Sequence, residues 1–218
     1  MRKIIFSPGE FYHIYNRGTE KRNIFLRKGD YRRFLLLLYH CNNTSNVVLR
    51  LEEQHFNTES HKEPLVDIYS YCLMPNHFHL LIGEKIEGGI SRFMQKLSIG
   101  YTMYFNKLRE RSGALFQGKF KATHADNDRY LKYLISYIHL NPVKLIDPEW
   151  KENGISDKEK AEEYLTRFGE SSYLDYLGVR RPESAILSKD NFPKYFNSGN
   201  DFKNMVIDWL DYQGLQII

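Results

Sequence analysis

Two short segments of this 218-residue chain hold side chains whose types and spacing can do chemistry. The first is His77-Phe78-His79. Successive side chains of a strand point to opposite faces, so in a strand His77 and His79 share one face while Phe78, Leu80 and Ile82 take the other. Two imidazoles so placed can converge on one metal ion, although alone they equally describe a solvent-facing pair on a half-exposed sheet. The second is Tyr137-Ile138-His139-Leu140-Asn141-Pro142. Residues four apart on a helix lie on one face about 6 Å apart, which presents the Tyr137 hydroxyl and the Asn141 amide side by side. A tyrosine hydroxyl can attack phosphorus, and an amide oxygen can bind a cation. A core tyrosine and an asparagine that ends a helix before proline would be spelled the same way.

Charge is spread unevenly around these segments. The net charge is +4, but residues 1–50 carry ten Lys/Arg against three Asp/Glu, and residues 85–144 carry eleven against four. Residues 51–84 and 145–218 are each net acidic by five. Two basic segments separated in sequence suggest a cationic surface assembled by folding, as a polyphosphate partner requires; solvated helix faces explain the counts as well. No apolar run approaches the ~18 residues needed to cross a bilayer, and residues 1–9 lack the apolar stretch of a signal peptide. A soluble, cytoplasmic protein is expected. Cys41 and Cys72 match no paired metal or disulfide spacing and read as reduced, packed thiols.

The elements that must position these groups follow from periodicity. Phe11 to Asn16 reads as a strand closed at Arg17-Gly18. Asp30 is placed to cap a helix running to about Cys41, with Phe34, Leu35, Leu37 and Leu38 as its apolar face. Residues 42–64 turn polar and read as a flexible insertion. Residues 66–73 and 77–82 form an antiparallel hairpin across Met74-Pro75-Asn76. Gly88-Gly89 opens a long helix whose buried stripe is Ile90, Phe93, Met94, Leu97, Tyr101, Tyr104, Phe105 and Leu108. A basic, aromatic strand is expected over 116–121, with Phe116 and Phe120 mainly in the core, and Asp126 or Asp128 then caps a helix through Pro142. The order β, α, β, β, α, β, α predicts an α+β, ferredoxin-like antiparallel sheet with helices packed on one face. One domain over 1–146 and an acidic, mainly helical extension over 147–218 are the expected divisions.

The run Met74-Pro75-Asn76-His77-Phe78-His79-Leu80-Leu81, followed some sixty residues later by Tyr137-Ile138-His139-Leu140-Asn141-Pro142-Val143-Lys144, resembles the HUH single-tyrosine transposases, in particular the branch associated with repetitive extragenic palindromes (REP). Tyr15-Asn16-Arg17-Gly18 and Gly113-Ala114-Leu115-Phe116-Gln117-Gly118-Lys119-Phe120-Lys121 strengthen the likeness, which covers about residues 10–146. The resemblance implies that His77, His79 and Asn141 hold a divalent cation, magnesium or manganese, and that Tyr137 is the nucleophile of a DNA endonuclease and strand transferase. Its substrate would be single-stranded or hairpin DNA, cut through a 5′-phosphotyrosine bond. Arg17, Lys21, Arg22, Arg109, Arg111, Lys119 and Lys121 are the candidate phosphate contacts. Two readings from other classes stand beside this one: a non-catalytic single-stranded nucleic-acid-binding module, and a phosphodiesterase using a metal-bound water. Monomer and homodimer are both compatible with the sequence.

Overall fold

The computed structural model describes residues 4–45, 56 and 63–208. Its centre is a four-stranded sheet of β1 (Phe11–Arg17), β2 (Val66–Met74), β3 (His77–Glu84) and β4 (Lys121–Ala125) in the order β2-β3-β1-β4. Every neighbouring pair is antiparallel. Helix α1 (Lys28–His40) connects β1 to β2, and α2 (Gly89–Leu108) connects β3 to β4. These two interleaved crossovers are the ferredoxin-like arrangement anticipated from element order.

Alternation along the strands divides the core in two. Tyr12 and Ile14 of β1 and Phe78, Leu80 and Ile82 of β3 face α1 and α2, where they bury against Phe34, Leu38, Phe93, Leu97 and Tyr101. A register shift between Ile68 and Ser70 changes the parity of β2, so that Val66, Ile68, Tyr71 and Leu73 all join this face while Tyr69, Cys72 and Met74 join the other. Both cysteines are free and buried, as their spacing suggested.

The second face is covered as well. Helices on one face describes α1 and α2, whereas α3 (Asp128–Leu140) packs across the opposite face through Leu131, Leu134, Ile135 and Ile138. The extension joins it there: α4 (Trp150–Asn153), α5 (Lys158–Arg167), α6 (Tyr173–Tyr176) and α7 (Gly199–Asp208) contribute Trp150, Leu165, Tyr173, Tyr176, Phe202 and Val206 to the same cluster. An isolated bridge pairs Cys72 with Ser171, and the Tyr176 hydroxyl donates to the Tyr69 carbonyl at 2.6 Å. The expected division at residue 146 thus runs through a shared core.

Local chemistry sets three boundaries differently from expectation. Asp30 is not the residue before α1 but sits in its first turn, where its carboxylate accepts the Leu26 and Arg27 amides at 2.8 and 3.2 Å. Asn127, between the two aspartates named as candidates, caps α3 by accepting the Tyr130 amide at 2.8 Å. The fourth strand begins at Lys121, because Phe116 to Lys119 form a turn through Gly118 at φ +70°. Phe116 is buried in the first cluster and Phe120 packs against it. Of the insertion, residues 46–62 other than 56 lie outside the described residues. Its two ends are stapled by Asn42, whose side chain bonds the Leu65 and Val66 amides and the Val66 carbonyl at 2.8–2.9 Å.

Candidate active site

The two chemistry-bearing segments meet on the second face. β3 starts immediately after a two-residue turn at Pro75-Asn76, so His77 and His79 lie at the mouth of the hairpin and point to the side that α3 covers. Their rings are 5.0 Å apart and perpendicular. The Tyr137 ring stands 5.6 Å from that of His79. Asn141, the residue after α3, donates from its amide to the Tyr137 carbonyl at 2.8 Å. A cleft of about 570 Å³ is lined by His77, His79, Tyr137 and Asn141 together.

His77 is held with a free lone pair. Its Nδ1 lies 2.6 Å from the Asn76 side-chain oxygen, which can only accept, so Nδ1 carries the proton and Nε2 does not. The Asn76 amide is oriented in turn by donating to the Lys21 carbonyl at 3.1 Å. His79 Nδ1 is 2.8 Å from Nε2 of His13, a β1 residue that the antiparallel register brings beside it. Burial depresses all three imidazoles: His77 to about 4, His13 to about 3, and His79 well below the ordinary value with further repulsion from His13 and His77. Burial acts on Tyr137 in the other direction, raising its hydroxyl above 10, and the Asn141 amide and Lys144 partly offset that rise.

Cations line the rest of the cleft. Arg17, Lys21, Lys121, Lys144 and Lys151 all reach it. Arg17 is oriented by Gln117, whose side chain accepts from the guanidinium and whose amide donates to the Arg17 carbonyl at 2.8 Å. The chain turns sharply after it: a Cβ at Gly18 would lie 2.2 Å from the Arg22 carbonyl oxygen, so only glycine fits. Glu20 and Lys21 then adopt left-handed backbone at φ 57° and 60°, a costly conformation held by the turn that puts Lys21 at the cleft edge.

Of the residues singled out from sequence, His77, His79, Tyr137, Asn141, Arg17, Lys21 and Lys121 line one cavity. Arg22, Arg109, Arg111 and Lys119 do not. Arg109 is bonded to the buried Asp30 at 2.5 Å and stacks 4.0 Å over the Phe105 ring. Arg111 bonds the Asn106 side chain at 2.5 Å and the Ala114 carbonyl at 3.2 Å, and Arg22 pairs with Glu20 at 2.9 Å. Sequence reading missed His13, Tyr15 and Lys151. His13 and Tyr15 alternate onto the face of His79, a pattern visible in β1, but their meeting with β3 depends on a strand pairing that spacing does not specify. Lys151 carries no sequence signal at all.

Fold and site together define an α+β protein whose antiparallel sheet presents a histidine pair to a helix-borne tyrosine inside a basic cleft. The model of the family described as IS200-like transposases matches residues 12–141, and this chain belongs to that family. A solved structure of a REP-associated tyrosine transposase bound to a REP hairpin shares the fold, with a TM-score of 0.52 at 13% identity over 100% of this chain and 98% of that one. Among curated proteins, none matches. No helix among the described residues is long and apolar enough to cross a membrane.

Proposed function

We propose that this transposase-family protein cuts and rejoins single-stranded DNA beside hairpins, with Tyr137 as the nucleophile that becomes joined to a 5′ phosphate. The observation that carries the reading is the meeting of the Tyr137 hydroxyl, the His77/His79 pair and five cationic side chains in one cleft. Arg17, Lys21, Lys121 and Lys144 supply charge for the phosphates on either side of the cut, and such contacts weaken as salt rises. The similar REP-associated enzyme is bound to a hairpin, which favours hairpin DNA as the substrate class here.

The donor set fits a divalent cation. His77 and His79 share a face; Asn76 holds the Nδ1 proton of His77 and leaves its Nε2 lone pair free, and His79 offers Nε2 in the tautomer that donates from Nδ1 to His13. The Asn141 side chain adds an amide oxygen, its nitrogen being committed to the Tyr137 carbonyl. Among the described residues no group of three His, Cys, Asp or Glu side chains gathers to hold a metal, so a site here needs the amide as its third donor. These three residues would hold the ion, magnesium or manganese, which when bound offsets charge on the scissile phosphate. The protein's own part is to present His77 and the buried His79 on one face, to fix the phosphate among the cations, and to aim the Tyr137 hydroxyl.

In the cleavage step the Tyr137 Oη–P bond forms as the P–O3′ bond breaks, the phenol loses its proton and the 3′ oxygen gains one. The phosphodiester energy is kept in the phosphotyrosine, so a 3′ hydroxyl can reverse the step without a further energy source. Labelled hairpin DNA with single-stranded flanks, incubated with the protein and manganese, should leave a covalent protein–DNA band on a denaturing gel, and Tyr137→Phe should bind the hairpin but leave none. A binding module or a metal-water phosphodiesterase gives no such band with the unaltered chain.

A further inference from the structure

We propose that Lys151, from the extension beyond the family-matched segment, is a catalytic residue that holds the Tyr137 hydroxyl and offsets negative charge on its oxygen. The inference rests on the reading of Tyr137 as nucleophile. Lys151 Nζ donates to Tyr137 Oη at 2.9 Å and lies 4.3 Å from the centre of the same ring. It also lines the cleft that holds His77, His79 and Asn141. Among the described residues no carboxylate pairs with it within 4.0 Å, so its charge is not spent on an ion pair.

Lys151 is exposed, but the backbone that carries it is anchored. The preceding residue, Trp150, is buried among the apolar side chains of α3 and the extension. The turn into α4 is closed by the Asp147 amide on the Val143 carbonyl at 2.8 Å, and the Asp147 carboxylate accepts both the amide and the hydroxyl of Ser156 at 2.9 Å. The backbone of α4 is thereby tied both to the end of α3 and to the loop before α5. Lys144 also lines the cleft, but of the two lysines it is Lys151 that bonds the attacking oxygen.

The chemistry asks for such a group twice. A tyrosine in a buried site ionises reluctantly, and an ammonium at hydrogen-bond distance favours negative charge on Oη as the phenolic proton leaves. During rejoining the Oη–P bond breaks and the same ammonium receives the departing phenolate oxygen. Desolvation lowers the Lys151 pKa from its ordinary 10.5, and the role assigned here is that of its ammonium form, which exchanges no proton and leaves the balance of the cleavage step unchanged.

The test uses the full chain, with Lys151→Met and Lys151→Arg, in single-turnover adduct formation and rejoining at saturating hairpin DNA and manganese. Hairpin affinity is measured separately on Tyr137→Phe with and without Lys151→Met. Lys151→Met should slow both cleavage and rejoining on the order of 10-fold to 100-fold, change hairpin Kd by less than about 3-fold, and leave Tm nearly unchanged because the side chain adds little packing. Lys151→Arg should recover most of the rate. Should Lys151→Met lower Tm, Lys151→Gln replaces it in the same comparison. Wild-type rates in these variants, or a loss wholly accounted for by hairpin Kd, overturn the proposal while leaving Tyr137 as nucleophile. Failure of the unaltered chain to form any adduct overturns both.

Discussion

The two faces of the sheet are equally buried but differently made. Against α1 and α2 the interior is aromatic and aliphatic: Phe34 meets Phe78 and Tyr101 at ring distances of 5.0 Å, and the Tyr101 hydroxyl is satisfied by the Ile24 carbonyl at 2.6 Å. Under α3 and the extension the interior contains His13, His79, His139, Asn141 and Ser172, all at most 6% exposed. Apolar burial stabilises the first face without needing particular partners. The second encloses polar groups that call for partners, and side chains from distant parts of the chain supply some of them: His139 Nε2 meets the Ser172 hydroxyl at 2.7 Å, and Ser172 also accepts the Tyr71 amide at 3.0 Å. One face holds the sheet together, and the other frames the cleft with polar groups.

The largest break in this comparison should come from removing what covers the second face. A chain ended at residue 146 would expose the cluster that Trp150, Leu165, Tyr173, Phe202 and Val206 complete, and would orphan His139. Loss of a cooperative thermal transition, or aggregation, is expected in unfolding scans; a truncated chain with the parent Tm would show that the extension is dispensable. On the first face, Phe34→Ala removes a ring with no exposure and should cost about 3–5 kcal/mol in denaturant unfolding. That loss should be the same at any pH near neutral.

Acid acts on the second face alone, and by less. Burial holds the pKa values of His13 and His139 down at about 3, against about 6.5 in an unfolded chain. A folded pKa below the unfolded one gives stability that is complete above about 6.5 and is lost as pH falls toward 3, because the unfolded chain takes up protons the folded one refuses. At up to ~1.4 kcal/mol per pH unit for each histidine, His13 and His139 by themselves should lower stability at pH 5.5 by on the order of 2–3 kcal/mol relative to pH 7.5. His139→Gln should flatten the slope. A urea midpoint indifferent to pH across this range would contradict the burial of neutral imidazoles.

The same contrast explains what was legible in the sequence. Periodicity suffices where side chains need only be apolar, so the hairpin, the α2 stripe as far as Phe105 and the sharing of one face by His77 and His79 followed from spacing, while Tyr104 is only partly buried and Leu108, expected in the stripe, is exposed. The α1 cap did not, because Asp30 serves as an interior acceptor that also binds Arg109 and the Tyr104 hydroxyl. Arg109 looked like a phosphate contact for the same reason: a sequence shows its charge but not the buried carboxylate that consumes it. His13 and Lys151 reach the site through strand register and through a turn closed by Asp147, neither of which leaves a local pattern. Residue types announced the histidine pair, Tyr137 and Asn141, while the groups that orient them became visible only in three dimensions.

Tyr133 is the competitor that geometry leaves closest, since its ring stacks on that of Tyr137 at 5.6 Å. Burial raises its hydroxyl strongly, with Tyr137 and Tyr130 adding to the effect, whereas the Tyr137 hydroxyl is the one that Lys151 bonds. Mass spectrometry of the peptide that retains DNA after cleavage decides between them. The phosphotyrosine should map to Tyr137 in the unaltered chain and in Tyr133→Phe, and no modified peptide should form in Tyr137→Phe. A phosphotyrosine at Tyr133, or an adduct that survives in Tyr137→Phe, would contradict the account.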